Sequence, residues 1–235
     1  MTEQRRRQAR RRARSVEAAA AAGIVYSLLT VFALSQLSRY PKLSLPEQEL
    51  TGWFDDGQNR ALLTAALGAS SVAAIAFLWF VAVIRRRLGD REDQFFATVF
   101  LGSGILHVAV SLVGAAAIAS PAIAITALDA AEVSPSSASL AGGLGAALLL
   151  VVGPRVQAVF IFTTSTVILR SRVLPSWVAV AGYLLGLAMF VVPIVWRSLG
   201  LAFPIWVFVV SIVLLVARPT HLEVDRPVDE VSDQD

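Results

Sequence analysis

The sequence predicts an all-α fold, a polytopic membrane protein with a bundle of six transmembrane helices, and three observations support this fold class. The 235-residue chain is 56% hydrophobic and only 16% charged, with a mean hydropathy of +0.69, whereas about a quarter of the residues of a soluble domain are charged. The uncharged residues lie in long blocks, and a helix needs about 20 apolar residues to cross a bilayer. The blocks are rich in Ala and Leu and lack the alternation of strands, whose open edges cannot face lipid.

Six apolar segments alternate with polar connections. They comprise residues 18–37, 61–84, 95–119, 140–169, 176–196 and 201–217. Each is long enough to span a bilayer, although the last is at the lower limit of length. Residues 1–17 form an Arg-rich tail, and residues 218–235 form an acidic, proline-containing tail for which we expect disorder. We therefore expect the transmembrane domain to occupy residues 18–217.

The basic residues of the connections indicate which side of the membrane each connection faces. Fifteen Lys and Arg residues fall in the two tails and in the connections after the second and fourth segments, and four fall in the other connections. The positive-inside rule places the more basic side in the cytoplasm. Both termini are then cytoplasmic, as an even number of spans requires.

Two of the outer connections are long. Residues 38–60 contain two prolines, several acidic residues and the aromatic pair Trp53 and Phe54, which suits the membrane interface. Residues 120–139 are less polar than a loop usually is. Within them, residues 121–133 are compatible with two structures, a short re-entrant or interfacial helix across the outer face and a plain loop.

Helix association in lipid depends on small residues that allow close contact. Gly182 and Gly186 form a GxxxG pair in the fifth segment, and Ala66, Ser70 and Ala74 form a stripe of small residues in the second. We expect both to be packing surfaces inside the bundle. The sixth segment is rich in Val and Ile and contains no glycine, so we expect it to face lipid.

Two ionisable residues, His107 and Arg155, lie within apolar segments. Such residues are candidates for a functional site, because they are costly to place in a membrane. Ser103, His107 and Ser111 are spaced by four residues and form one polar stripe on the third helix. The sequence favours a core histidine with satisfied hydrogen bonds over a ligand-binding histidine at this position.

Arg155 shares one helix face with Thr163, and Gln157 lies on nearly the opposite face. Pro154 removes one backbone hydrogen bond just before Arg155 and leaves a carbonyl that the guanidinium can use. Three interpretations stay open for Arg155: a structural role, a site for an anion or lipid headgroup, and a catalytic or coupling role. The candidate ligand-binding or anion-binding residues are Arg155, His107, Gln157, Thr163 and Ser103.

Missing residue types argue against several function classes. The chain has no cysteine, which excludes disulfides and Cys-ligated metal sites. No Asp, Glu or Lys lies in an apolar segment, which disfavours a cation-coupled transporter and excludes a retinal Schiff base. No nucleotide or zinc-protease motif is present, and the serines near His107 lack an acid to orient the imidazole. We predict no catalytic residue, no cofactor and no metal site, and hence no enzyme.

The Arg-rich tail has seven arginines between Arg5 and Arg14. Such a cluster suits the anionic lipid headgroups of the cytoplasmic surface. Nucleic acid is a disfavoured partner, because no aromatic residues interleave the arginines. A protein that docks on this tail is a third interpretation, and we expect membrane lipids to be the main partners.

Three long stretches of the chain carry a resemblance. They are FLWFVAVIRRRLGDREDQFFATVFLGSG at 77–104, RVQAVFIFTTSTVILRSRVLPSWVAVAGYLLGL at 155–187 and LAFPIWVFVVSIVLLVA at 201–217. These stretches resemble segments of uncharacterised multi-pass, six-span membrane proteins of actinobacteria. The resemblance implies a protein of the bacterial inner (plasma) membrane, and it supplies no substrate and no catalytic residue.

These observations predict a non-enzymatic integral membrane protein, an accessory or binding component with a small polar pocket at Arg155 and His107. The alternative is a transporter or flippase for an anionic or amphipathic small molecule or lipid. A cavity that reaches Arg155 would favour the transporter. An Arg155 that is satisfied by the protein, without a cavity, would favour a structural component. An enzyme would need a second titratable group beside His107.

Overall fold

The computed structural model describes residues 3–42, 44–88, 94–128, 130, 132–171, 174–191 and 200–216, and every regular element among them is helical. The elements are α1 (Glu3–Leu37), α2 (Glu47–Asp55), α3 (Gly57–Leu88), α4 (Gln94–Leu128), α5 (Pro135–Ala146), a π-helical segment (Ala147–Val152), α6 (Gly153–Ser171), α7 (Ser176–Val191) and α8 (Ala202–Val216). The acidic tail predicted over residues 218–235 lies outside the described residues.

Four helices are long and apolar enough to cross a membrane. They are Glu17–Leu37 within α1, Gly57–Arg85 within α3, Phe95–Leu128 within α4, and the run Pro135–Arg170 that comprises α5, the π-helical segment and α6. The helices α7 and α8 are apolar but have only 16 and 15 residues. Large apolar side chains such as Leu28, Trp79 and Leu184 are 61%, 67% and 66% exposed. Apolar side chains on the outside of a bundle are what a lipid environment favours.

Several neighbouring helices meet at small residues. A Cβ atom added at Gly23 of α1 would meet Phe80 of α3 and Ser211 of α8, so α1 lies close to both helices. The helix α4 contacts α3 on one side and the α5–α6 run on the other, and α6 contacts α7. Gly182 and Gly186 of α7 lie directly against side chains of α6, which confirms the packing surface predicted for the GxxxG pair.

Two buried clusters hold the bundle together. The aromatic cluster, defined here as Tyr26, Phe77, Phe160 and Phe203, lies where α1, α3, α6 and α8 meet, with neighbouring ring centroids 4.7 to 6.2 Å apart. These separations match the favourable range for aromatic pairs. A second cluster joins the C-terminal end of α1 to α2, to the first turns of α3 and to the last turns of α4.

The helix α4 continues through Pro121 to Leu128, so the prediction of a separate helix or loop beginning at this proline is wrong. A proline lacks the N–H that would bond to the carbonyl four residues earlier. That carbonyl belongs to Ala117, and it accepts a hydrogen bond from the Ser120 hydroxyl at 2.8 Å instead. The helix therefore passes the proline without leaving this carbonyl unsatisfied.

The prediction that the sixth segment faces lipid is wrong for one face of α8. Phe203, Val207 and Val210 are at most 1% exposed, because α8 packs along α1. Ile212 lies on the other face and is 37% exposed. A face of Val and Ile suits lipid and a packed interior equally well, so composition does not distinguish the two.

Residues 47–55 of the first outer connection form α2, which was not predicted. Phe54 of α2 is 1% exposed and its ring centroid lies 5.7 Å from that of Tyr40. Phe54 is therefore a core residue at this end of the bundle, and its position at the membrane interface stays a prediction. The helix covers the end of the second cluster next to α3.

Candidate ligand cavity

A cavity of about 770 Å³ lies between α1, α3, α4 and the α5–α6 run. It extends from Tyr26 and His107 in the interior of the bundle to Tyr40 and Lys42, just beyond the end of α1. The helical rise from Tyr26 to Leu37 corresponds to about 16 Å along α1. Pockets for small ligands typically measure about 300–1,000 Å³, so this cavity has the size of a ligand site.

His107 occupies the inner end of the cavity and has hydrogen-bond partners at both ring nitrogens. Its Nε2 lies 2.9 Å from the Tyr26 hydroxyl, and its Nδ1 lies 3.4 Å from both the Ser111 hydroxyl and the Gln157 amide nitrogen. The side chain is 2% exposed, and these partners are all neutral. Because a buried charge without a counter-charge is costly, we take the imidazole as uncharged.

The tautomer of His107 depends on the orientation of the Gln157 amide. If the amide nitrogen faces the ring, Nδ1 accepts from it and Nε2 donates to the Tyr26 oxygen. If the amide oxygen faces the ring, Nδ1 donates to it and Nε2 accepts from the Tyr26 hydroxyl. The inner end is thus a connected chain of neutral polar groups from α6 through α4 to α1.

The aromatic cluster closes the inner end of the cavity. The imidazole centroid lies 5.0 Å from the ring of Phe77 and 4.7 Å from that of Phe203. Neither ring lines the cavity. In the described part of the bundle, the cavity therefore ends at the His107 layer and does not reach the other end of α1.

The walls between the two ends of the cavity are mostly apolar. They include Ala33 and Leu37 of α1, Ala115 and Ile118 of α4, and Leu149 of the π-helical segment, and the polar residues Thr30, Ser35 and Ser70 also line them. An apolar wall with a few polar groups at one end is the usual composition of a ligand pocket. The middle of the cavity suits an apolar body about as long as three turns of helix.

Tyr40 and Lys42 lie at the outer end of the cavity. The Tyr40 hydroxyl donates to the Ala138 carbonyl of α5 at 2.7 Å, and its ring lies against Gly142. Burial raises the pKa of Tyr40 to about 12, so the phenol stays protonated and can donate. Lys42 is exposed, and its side chain is the one charged side chain among the described residues that line the cavity.

The π-helical segment forms part of the cavity wall, through Leu149 and Leu150. It ends at Val152, two residues before Pro154, which lacks an N–H. The Gly153 N–H bonds to the Leu148 carbonyl, five residues back, as in a π-helix. Short π-helical segments inside α-helices are frequent at functional sites, and this one faces the cavity.

Arg155 does not line the cavity. It is half-buried, and its Nη1 donates to the carbonyl of Val151 in the π-helical segment. The sequence predicted that the guanidinium can use a carbonyl freed by Pro154. The carbonyl that it contacts is that of Val151, in the π-helical segment just before the proline.

The structure brings two of the five candidate residues together at the cavity, His107 and Gln157. Ser103 and Thr163 are buried elsewhere and hydrogen-bond within their own helices. The Ser103 hydroxyl donates to the Phe100 carbonyl at 3.2 Å, and the Thr163 hydroxyl donates to the Val159 carbonyl at 2.6 Å. With Arg155, they do not contribute to the cavity lining.

Tyr26 is the site residue that sequence reasoning missed. A signal was available, because Tyr in membrane helices is normally enriched at the interfaces, whereas Tyr26 lies well inside the first apolar segment. Ser70, which was expected only to pack, lines the cavity together with Ala74. Among the described residues, no three His, Cys, Asp or Glu side chains come together as metal ligands would.

A comparison of the chain with protein-family models, with curated proteins and with solved structures finds no match. The functional proposal is therefore based on the chemistry of the cavity.

Proposed function

We propose that this protein is a multi-pass integral membrane protein that binds an amphipathic small molecule or lipid in the cavity between α1 and α4. The role is that of a non-enzymatic binding or accessory component. One observation supports it above the others: a cavity of about 770 Å³ with a polar inner end and mostly apolar walls inside a bundle of apolar helices. Polar groups inside a membrane are costly, and they are usually retained where they serve a function.

The proposed topology has six spans, with α7 and α8 as the fifth and sixth and with both termini in the cytoplasm. Both helices are apolar, and they pack against α6 and α1, respectively. The excess of basic residues in the tails and in two connections supports the orientation. The resemblance to actinobacterial six-span proteins supports a location in the bacterial inner (plasma) membrane.

Single-cysteine labelling can test this topology, because the chain contains no cysteine of its own. A membrane-impermeant maleimide is added to intact spheroplasts that express Gly200→Cys or Pro175→Cys. We expect Gly200→Cys to be labelled from outside and Pro175→Cys only after lysis. If both are labelled only after lysis, α7 and α8 do not cross the membrane.

Native mass spectrometry tests the binding role with a matched pair of variants. Ala74 lines the cavity, whereas the adjacent Ile75 is 59% exposed on the outside of α3. Ala74→Phe places a phenyl ring in the cavity, whereas Ile75→Phe places one at the same depth on the outside of the bundle. We expect the wild type and Ile75→Phe to retain a small hydrophobic species that Ala74→Phe loses. Identical spectra for all three, with no retained species, would refute a binding role.

A transporter or flippase is a second candidate, and the one-sided shape of the cavity favours it. The cavity reaches Lys42 at one end and stops at the aromatic cluster at the other, as expected for one state of an alternating-access cycle. Proteoliposomes that contain the species found by mass spectrometry distinguish the two roles. A binding component leaves the transbilayer distribution of this species unchanged, and a transporter equilibrates it faster than protein-free liposomes do.

A further inference from the structure

We infer that the cavity holds a lipid alcohol, a neutral amphipathic molecule whose hydroxyl group lies at the end formed by His107 and Gln157. This inference rests on the proposed function, because it names the ligand class of the same cavity. Three features support it: the neutral inner end, an amide atom without a partner, and a long, mostly apolar channel that leads to the protein surface.

The inner end offers no charge to an ionised headgroup. Tyr26, His107, Ser111 and Gln157 provide hydroxyl, imidazole and amide groups, and Lys42 lies at the opposite end of the cavity. A carboxylate or phosphate at the inner end would be buried among the described residues without a counter-charge, which is strongly unfavourable. A neutral hydroxyl group carries no such cost.

The Gln157 amide has unused hydrogen-bonding capacity. Its nitrogen lies 3.4 Å from Nδ1 of His107, while its Oε1 is buried and has no hydrogen-bond partner in the described part of the chain. If the amide is turned by 180°, the oxygen meets the ring and the nitrogen is left over, so one atom lacks a partner in either orientation. An unpaired buried amide atom is costly. A hydroxyl group can accept from the nitrogen, or donate to the oxygen once the amide turns this atom toward the cavity, whereas a carboxylate can only accept.

The rest of the cavity suits an alkyl or polycyclic body. From the His107 layer to the end of α1, the walls are mostly Ala, Leu, Ile and Val side chains over about 16 Å. The outer end reaches the exposed Lys42. A lipid alcohol that enters at this end places its hydroxyl group deepest and its apolar body along α1 and α4.

Binding of three probes with one chain length tests this inference: tetradecanol, tetradecanoate and tetradecane. Each is measured as saturable displacement of tritiated tetradecanol from the full-length protein in lipid nanodiscs, with empty nanodiscs as the correction for partition. We expect tetradecanol to bind about tenfold more tightly than tetradecane, the ratio for one good hydrogen bond to a buried partner. Tetradecanoate is expected to be at least as weak as tetradecane.

Variants show whether the amide provides this preference. Gln157→Leu should bring tetradecanol and tetradecane to equal affinity. Gln36→Leu is the matched control, because Gln36 is also buried with an unpartnered Oε1 but does not line the cavity, and it should keep the preference. If Gln157→Leu does not fold, Tyr26→Phe removes the adjacent hydroxyl and should lower the preference.

The outcomes separate the inference from the proposed function. Equal affinity of all three probes in the wild type, or tightest binding of tetradecanoate, would overturn the lipid alcohol and leave a binding cavity. If Gln36→Leu also loses the preference for tetradecanol over tetradecane, Gln157 does not specifically recognise the hydroxyl group. This result would also overturn the lipid alcohol. Absence of saturable binding for every probe, together with no retained species in native mass spectra, would overturn the binding role itself.

Discussion

Gly145→Ala should destabilise the bundle, whereas Gly143→Ala, two residues earlier on α5, should not. A Cβ atom at Gly145 would lie 2.3 Å from Cγ1 of Ile118, 2.9 Å from its Cδ1 and 3.0 Å from the Gly114 carbonyl oxygen. Ile is stiff at χ1 in a helix and cannot turn away, and the carbonyl cannot move without α4. A Cβ atom at Gly143 meets nothing within 4 Å.

The two variants share the same change in helix propensity, a gain of about 0.5–1 kcal/mol for replacing a helical glycine with alanine. Their difference therefore isolates the contact between α4 and α5. Overpacking of a well-packed interface costs about 1–3 kcal/mol, so Gly145→Ala should be less stable than Gly143→Ala by about that amount. Reversible unfolding in mixed micelles with SDS measures both free energies against the wild type.

A second substitution tests the reason for the effect. Ile118→Ala removes Cγ1 and Cδ1, so Gly145→Ala should cost less in that background, with a favourable coupling energy of about 1–2 kcal/mol. The rescue should be incomplete, because the Gly114 carbonyl stays where it is. Equal stability of the two glycine variants, or additive costs in the double variant, would show that α4 and α5 do not approach this closely.

Three further predictions concern Tyr40 and Arg155. Tyr40→Phe removes the hydrogen bond to the Ala138 carbonyl and should lower the free energy of unfolding by about 0.5–1.5 kcal/mol; an unchanged value would contradict that bond. The folded-state pKa of Tyr40 is raised from 10.0 to about 12, so its stabilisation should be complete below pH 10 and lost as the pH rises to about 12. Tyr40→Phe should lack this decline, and a decline of equal size in the variant would assign it to another group. Arg155→Ala should lower the melting temperature but keep the bound species in native mass spectra, because Arg155 bonds to a backbone carbonyl and does not line the cavity; loss of the species would instead indicate an anion site.

The sequence located the long helices well, because hydrophobic length is a direct physical signal for a membrane span. The sequence-based prediction was wrong where a side-chain hydrogen bond or distant packing outweighed a local sequence signal. Pro121 predicted a helix start, but the Ser120 hydroxyl satisfies the carbonyl that the proline leaves free. The short helix α2 was hidden in a polar connection, because its stability depends on the burial of Phe54 against distant residues.

The candidate site was predicted only in part. His107 and Gln157 were identified because polar side chains in an apolar segment are costly, and the structure brings them together. Arg155 satisfied the same criterion more strongly, yet the π-helical segment provides it with a carbonyl outside the cavity. The rotation of each helix about its axis decides which polar face meets the cavity, and this rotation depends on the packing of all neighbouring helices. The composition and spacing of one segment do not determine this rotation.

Location of the bound molecule within the bundle decides whether the cavity is the ligand site. Cryo-electron microscopy of the protein in lipid nanodiscs, with a bound antibody fragment to aid alignment, provides this measurement. We predict an elongated density inside the bundle that begins at Gln157 and His107, follows α1 and α4, and ends near Tyr40. Density confined to the outer faces, for example along Leu184 of α7, with side chains filling the space beside His107, would contradict the proposed cavity.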